Sequence, residues 1–248
     1  MGFNIWAIEN PENSLEWMVY LTDKYLNMFL EGTWLTLYIA VLGTLLGFVL
    51  GYLVGIVQDL KVNQGDNIIK KILIRILKII ASVYVEIFRD TPMIVQAMII
   101  YYGIRQMGVN MTPIVAGIIV TVLNTGAYMA ETVRGGIGSI DQGQREGAWA
   151  MGMSPMKTML YIVLPQAFKN IIPEMANTFL TNLKMTSVLN VIAVQELFMA
   201  AKTVGGNYYK YFESYLVIAV IYFVLCFVFN KLFKLIEKRM KGKNDYIS

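Results

Sequence analysis

The chain has 248 residues, 56% of them hydrophobic and only 15% charged, with a formal net charge of +4. Several apolar runs approach the roughly 20 residues that cross a bilayer, which points to an all-α integral membrane protein and away from a soluble domain. The sequence contains no histidine, which removes the usual general base, the usual metal ligand and the Ser-His dyad of an intramembrane protease, so neither hydrolytic chemistry nor a metal centre is expected.

Residues 1–26 carry Glu9, Glu12, Glu16 and Asp23 and lack the basic start of a cleaved signal peptide, so they are expected to form an extracellular arm ahead of a retained first span. A transmembrane domain is expected over 27–238. It is read as five transmembrane helices, at about Asn27 to Gln58, Asn67 to Gly103, Thr112 to Ile137, Pro155 to Ser187, and Tyr208 to Glu237. In the first, Gly43, Gly47, Gly51 and Gly55 recur every fourth residue, a stripe on which another helix can pack closely. The second opens on Lys70, Lys71, Arg75 and Lys78 as an amphipathic helix and is interrupted at Thr91-Pro92.

Between the third and fourth spans, the loop 138–156 contains a short helix from Gln142 to Met151, about 15 Å long at 1.5 Å per residue. Gly152 can close it, and Ser154-Pro155 suits the N-cap and first position of the helix that follows. Ala148, Trp149, Met151 and Met153 supply apolar knobs beside polar Arg145 and Glu146. Composition alone fits a helix lying on lipid headgroups equally well. The fourth span is expected to be broken at Pro165 and Pro173, and the fifth holds the single cysteine, Cys226, read as a small core hydrophobe. No phosphate-binding loop of the GxxxxGK[ST] kind occurs. The one Gly-Lys pair, Gly242-Lys243, lies in the tail 239–248, so the chain by itself is not expected to hydrolyse ATP.

Lysine and arginine concentrate in Lys61 to Lys78, Arg134 to Lys157 and Lys231 to Lys243, which places those segments and the C-terminus in the cytoplasm and the N-terminus outside. Topology accounts for the positive balance, and no nucleic-acid partner is implied. Charges at span depth are costly and face a partner or a wet cavity; here they are Glu86, Arg89, Asp90, Glu131, Glu174 and Lys184. Ion pairs of Arg89 with Glu86 or Asp90, and of Glu131 with Arg134, would satisfy several of them. Asn124, Asn177 and Asn182 could equally join helices by hydrogen bonds.

The spacing Glu146-Gly147-Ala148, Gly152, then Ile162-x-Leu164-Pro165 resembles the cytoplasmic loop of ABC-importer permeases, with glycine in place of the middle alanine. "EGTWLTL" (31–37), "VYVEIFRDTPMIVQ" (83–96), "AYMAETVRGGIGSIDQGQ" (127–144), "LPQAFKNIIPEMANTF" (164–179) and "LKMTSVLNVIAVQEL" (183–197) are similar, in order, to polar amino-acid ABC permeases. Arg89-Asp90-Thr91-Pro92 and Lys184-Met185-Thr186-Ser187 depart from that pattern, which usually reads Arg-Gly-Thr-Pro and Lys-Asp-Thr-Ser.

The resemblance implies the type I ABC importer fold and a bacterial cell-membrane location. It also implies a second permease subunit, identical or related, a separate ATPase that binds the ATP and Mg, and an extracellular substrate-binding protein; no cofactor of the chain's own follows. The short helix becomes a coupling helix, with Arg145, Glu146, Gly147, Ala148, Trp149 and Gly152 facing the ATPase and passing its motion to spans three and four. Arg89, beside a helix break, suits an amino acid's carboxylate, with Thr91, Gln96, Asn124, Asn177 and Thr178 as polar lining. With no carboxylate next to Thr178, a neutral or acidic substrate such as glutamine, asparagine or glutamate is expected. A channel or passive facilitator would also use broken helices and intramembrane charge, and a scaffold or sensor would use the glycines, but neither needs an ATPase-docking helix.

Overall fold

The computed structural model describes residues 11–60, 62, 65 and 67–240, and every regular element among them is helical. The first ten residues of the expected arm, Lys61 and the tail beyond 240 lie outside the described residues. The rest of the arm is helix α1 (Ser14–Lys24), capped by Asn13, whose Oδ1 accepts from Glu16 N at 3.0 Å, while Glu16 Oε2 reaches back to accept from Glu12 N at 2.7 Å. Its Lys24 Nζ donates to the Tyr20 hydroxyl at 2.8 Å and sits 5.2 Å above the ring of Tyr208. The hydrogen bond to Tyr20 raises the pKa of the Lys24 ammonium above its ordinary value.

Helix α2 (Leu26–Asp59) has 34 residues, about 51 Å of helix against about 30 Å of hydrocarbon. Its partner is α5 (Pro113–Gly138), capped by Thr112 with Pro113 at the first position. The expected glycine stripe is the seam between them. A methyl group added at Gly47 would lie 2.6 Å from Thr125 Cβ, and one at Gly55 would lie 2.8 Å from the Ala130 carbonyl oxygen. Gly43 and Gly51 meet Thr121 and Met129 in the same way. The two backbones therefore touch along a little over three helical turns, which is possible only without side chains on one of them.

The second expected span is two helices, α3 (Ile68–Asp90) and α4 (Met93–Gln106), parted where sequence placed the break. Thr91 is extended (φ −116°, ψ 144°), as the proline ring of the next residue requires. The helix expected over 142–151 is α6 (Gln142–Ala150), and Ser154 caps the four-residue α7 (Pro155–Thr158) as expected.

The fourth span departs from expectation. Pro165 has no N–H for the Tyr161 carbonyl and crowds it, and the chain widens into a π-helical turn over Met159–Val163 before α8 (Leu164–Met185). At Pro173 no break occurs; α8 runs through it. After α8 come a 3₁₀ segment (Thr186–Ile192) and Ala193 in the left-handed region (φ 64°). The expected outer loop then holds a further helix, α9 (Leu197–Tyr208), before α10 (Tyr211–Met240). Glu196 is fully buried and caps α9: its carboxylate accepts from Phe198 N and Met199 N, both at 2.9 Å, and from the Tyr222 hydroxyl at 3.2 Å.

Among the described residues, three helices are long and apolar enough to cross a membrane singly, Leu26–Asp59, Pro113–Gly138 and Tyr211–Arg239. Pro155–Ile192 and Leu197–Tyr208 form a further path bent by 55°. The expected second span meets that standard in neither half, since α3 carries cations along its first turns and α4 has 14 residues. The core joins these elements around Ile39, Ala97, Ala116, Val120 and Leu189 on one side and Val133, Ile137, Ala167 and Ile171 on the other.

Candidate functional site

Helices α5 and α8 face each other across a cavity of about 460 Å³, inside the roughly 300–1,000 Å³ range of small-molecule sites. On α5 the wall is Asn124, Thr125, Tyr128, Glu131 and Thr132, and on α8 it is Glu174, Asn177, Thr178, Thr181, Asn182 and Met185. Both sets follow the three-and-four spacing that puts residues on one helical face. Arg89, at the end of α3, closes one side.

Of the six residues expected to contact substrate, Arg89, Asn124, Asn177 and Thr178 line this cavity; Thr91 and Gln96 do not. Gln96, only 5% exposed, repairs the helix break instead. Its Nε2 donates to Phe88 O at 3.0 Å and to Thr91 O and Thr91 Oγ1 at 2.9 Å each, the acceptors freed where α3 stops. Asn124 serves both structures: Nδ2 donates to Phe88 O and Gln96 Oε1, each at 3.1 Å, leaving Oδ1 on the cavity wall. Thr125, Tyr128, Thr132, Thr181 and Met185 were missed, although a polar residue recurring every three or four positions in an apolar helix is a readable signal.

Two of the charges at span depth pair with each other. Glu131 accepts from Arg134 Nη2 at 2.8 Å, the pairing expected from sequence, and lies 3.7 Å from Arg89 Nη1. Arg89 therefore pairs across helices with Glu131, and not with Glu86 or Asp90 on its own chain segment. Its guanidinium also stands 5.7 Å over the Tyr128 ring. Glu174 has no cation among the described residues; its one contact is a long hydrogen bond from Asn177 Nδ2 at 3.4 Å. Glu174 lies one turn before Thr178 on the same face, so the α8 wall is acidic and not neutral as the sequence suggested.

At the floor of the cavity, Asn182 ties three helices together. Its Nδ2 donates to Thr44 Oγ1 and Thr125 Oγ1 at 2.9 Å each, and its Oδ1 accepts from Thr125 at 3.2 Å.

The second site is α6. Asp141 caps it, accepting from Gly143 N at 2.6 Å. Gly152 (φ 79°) ends it in a Schellman motif, with Met153 N donating to Ala148 O at 3.0 Å and Gly152 N to Trp149 O at 2.9 Å. Trp149 is 43% exposed and Met151 85%, and Glu146 and Gly147 are exposed with them. Arg145 and Ala148 are each 8% exposed and face inward, so of the residues expected to meet a partner these two do not lie on the outer face. Arg145 is drawn in because α6 lies under the ends of α2 and α5: its Nη2 donates to Ile137 O at 3.1 Å, and its Nη1 is 3.9 Å from Asp59 Oδ2.

Residues 73–242 match the family described as binding-protein-dependent transport system inner membrane component. A putative glutamine transport system permease protein of Rickettsia typhi is 33% identical over 91% of this chain and 98% of its own length. The arginine transport system permease protein of Bacillus subtilis is 36% identical over 67% of this chain and 76% of its own. Among solved structures, an amino acid ABC transporter with histidines superposes with a TM-score of 0.80 at 33% identity, covering 93% of this chain and 100% of that one. The MetNI methionine ABC transporter shares the fold at a TM-score of 0.72 and 21% identity, covering 88% of this chain and 99% of that one.

Proposed function

Since the chain belongs to the family of binding-protein-dependent transport system inner membrane components, with the type I ABC importer permease fold and no ATPase of its own, we propose that it carries a neutral polar amino acid, of which glutamine is the type, into the cell through the α5–α8 cavity. The observation that carries this reading is the pairing, in one 460 Å³ cavity, of a guanidinium with a carboxylate that no cation neutralises among the described residues. A free amino acid brings a carboxylate for Arg89 and an ammonium for Glu174. Asn177, Thr178 and Thr181 remain for an amide or hydroxyl side chain. A second acidic group on the substrate would meet Glu131 and Glu174, so the expectation from sequence narrows: glutamate is disfavoured, and glutamine and asparagine are retained. The glutamine permease relatives support the same choice.

In this reading α6 docks on a separate ATPase through Trp149 and Met151, and a second permease and an external binding protein complete the importer. The N-terminus lies outside and the C-terminus inside, because the basic segments flank α6 and follow α10. The test is uptake of labelled glutamine by the complete complex in vesicles with ATP on the ATPase side, with unlabelled arginine and glutamate as competitors. ATP-dependent uptake that glutamine and asparagine compete and the two charged amino acids do not is expected. Stronger competition by arginine than by asparagine would reject the substrate assignment.

A further inference from the structure

Asp59 is the last residue of α2, where the helix dipole least favours a negative charge, and its Oδ2 is buried with no hydrogen-bond partner. The buried cation facing it is Arg145, at 3.9 Å. Arg134 is also close enough to feel the Asp59 charge, but it is exposed and committed to Glu131 by two hydrogen bonds at 3.3 and 2.8 Å. Arg145 also donates to Ile137 O, one of the carbonyls that the last turn of α5 leaves without an intrahelical partner. A single guanidinium from α6 thus sits where the negative ends of two long helices converge, and the glycine seam already makes those helices one body. On its other side α6 runs into the left-handed Gly152, the four-residue α7 and the π-helical turn, the least regular backbone at this end of the molecule.

We propose that Arg145 is a positioning residue that locks α6 to the joined cytoplasmic ends of α2 and α5, so that displacement of α6 enters the membrane through that pair as a rigid unit and not through the linker into α8. Spans one and three are then the input, with α8 following through its contacts along the cavity. The inference rests on reading α6 as the ATPase-docking helix, and its test separates the two.

In vesicles holding permease, ATPase and binding protein, the Arg145→Gln complex keeps its ATPase and its ATP hydrolysis, but amino acid moved per ATP falls about ten-fold, within the range of coupling between sites. Arg145→Lys, which retains the charge, preserves most of that ratio. In a Cys226→Ser background, which removes the single native cysteine, Asp59→Cys combined with Arg145→Cys uncouples in the reduced state, and a short thiol cross-linker restores the ratio. An unchanged ratio in Arg145→Gln, or a cross-linked pair that stays uncoupled, would overturn the proposal. Loss of the ATPase from Arg145→Gln would overturn it too, by placing the residue in the docking contact. Retention of the ATPase by Trp149→Asp sinks the docking reading alone.

Discussion

Replacing Glu174 by glutamine removes a charge while keeping size and helix preference. Among the described residues the carboxylate has one partner, Asn177 at 3.4 Å, and no cation, so the fold loses little and expression and ATPase retention stay at the native level. A substrate ammonium loses a charge-assisted hydrogen bond of about 1.5–3 kcal/mol. At about 1.4 kcal/mol per factor of ten, the affinity falls about ten- to a hundredfold. The measurement is equilibrium binding of labelled glutamine to the purified permease–ATPase complex without the binding protein, whose own affinity would otherwise set the apparent value in transport. The mirror change, Arg89→Gln, costs less, because part of that charge already answers Glu131 at 3.7 Å. A dissociation constant for Glu174→Gln within a factor of two of the native one would refute the assignment of Glu174 to the substrate ammonium.

Thr178→Glu adds a second carboxylate to the α8 wall, and competition assays should then show arginine gaining on glutamine; an unchanged order would remove Thr178 from the pocket. Gly51→Val puts side-chain atoms where even a methyl lies 2.5 Å from Met129 Cβ and 2.7 Å from Gly126 O. Overpacking of about 1–3 kcal/mol is expected, read as a lower melting temperature of the detergent-solubilised complex. Asn182→Leu strands two buried hydroxyls, Thr44 and Thr125, for a loss of about 1–2 kcal/mol per interhelical network, visible as lower thermal stability of the detergent-solubilised complex. Gly152→Ala forces a side chain into the left-handed region at φ 79°, costing about 1 kcal/mol. It should loosen the end of α6, measured as weaker retention of the ATPase during purification.

What sequence made legible was local or periodic. The glycine repeat identified a helix seam before its partner was known, Thr91-Pro92 fixed the break, and Gly152 with Ser154-Pro155 fixed both ends of the turn after α6. Helix α9 was hidden because its twelve residues, with Lys202, Gly205 and Gly206, lack a span's composition, and because its cap is a buried glutamate where serine, threonine or aspartate is the usual signal. The break expected at Pro165 takes the form of a π-helical turn over Met159–Val163, because a proline disturbs the turn before it, and the one expected at Pro173 does not occur, because neighbouring helices support a backbone that sequence alone reads as broken. Arg145 looked like a surface residue, since nothing local reveals that two helices end above it.

The polar residues of the spans divide by hydrogen-bonding capacity, which only the tertiary structure reveals. Gln96 and Asn182 use both amide protons and one lone pair of the carbonyl oxygen on protein partners, so neither has a donor left for a ligand. Asn124 keeps one acceptor, and Glu174 keeps nearly all of its capacity. A polar group in a span that is satisfied within the chain lowers the cost of folding there, whereas one left open raises it unless water or substrate completes the bond. The open groups are gathered on the facing sides of α5 and α8, while the satisfied ones sit at the helix break and at the junction with α2. The cavity is therefore where the fold has left its hydrogen-bonding unfinished, and the proposed substrate, a zwitterion with a polar side chain, would supply the missing donors and acceptors in one molecule.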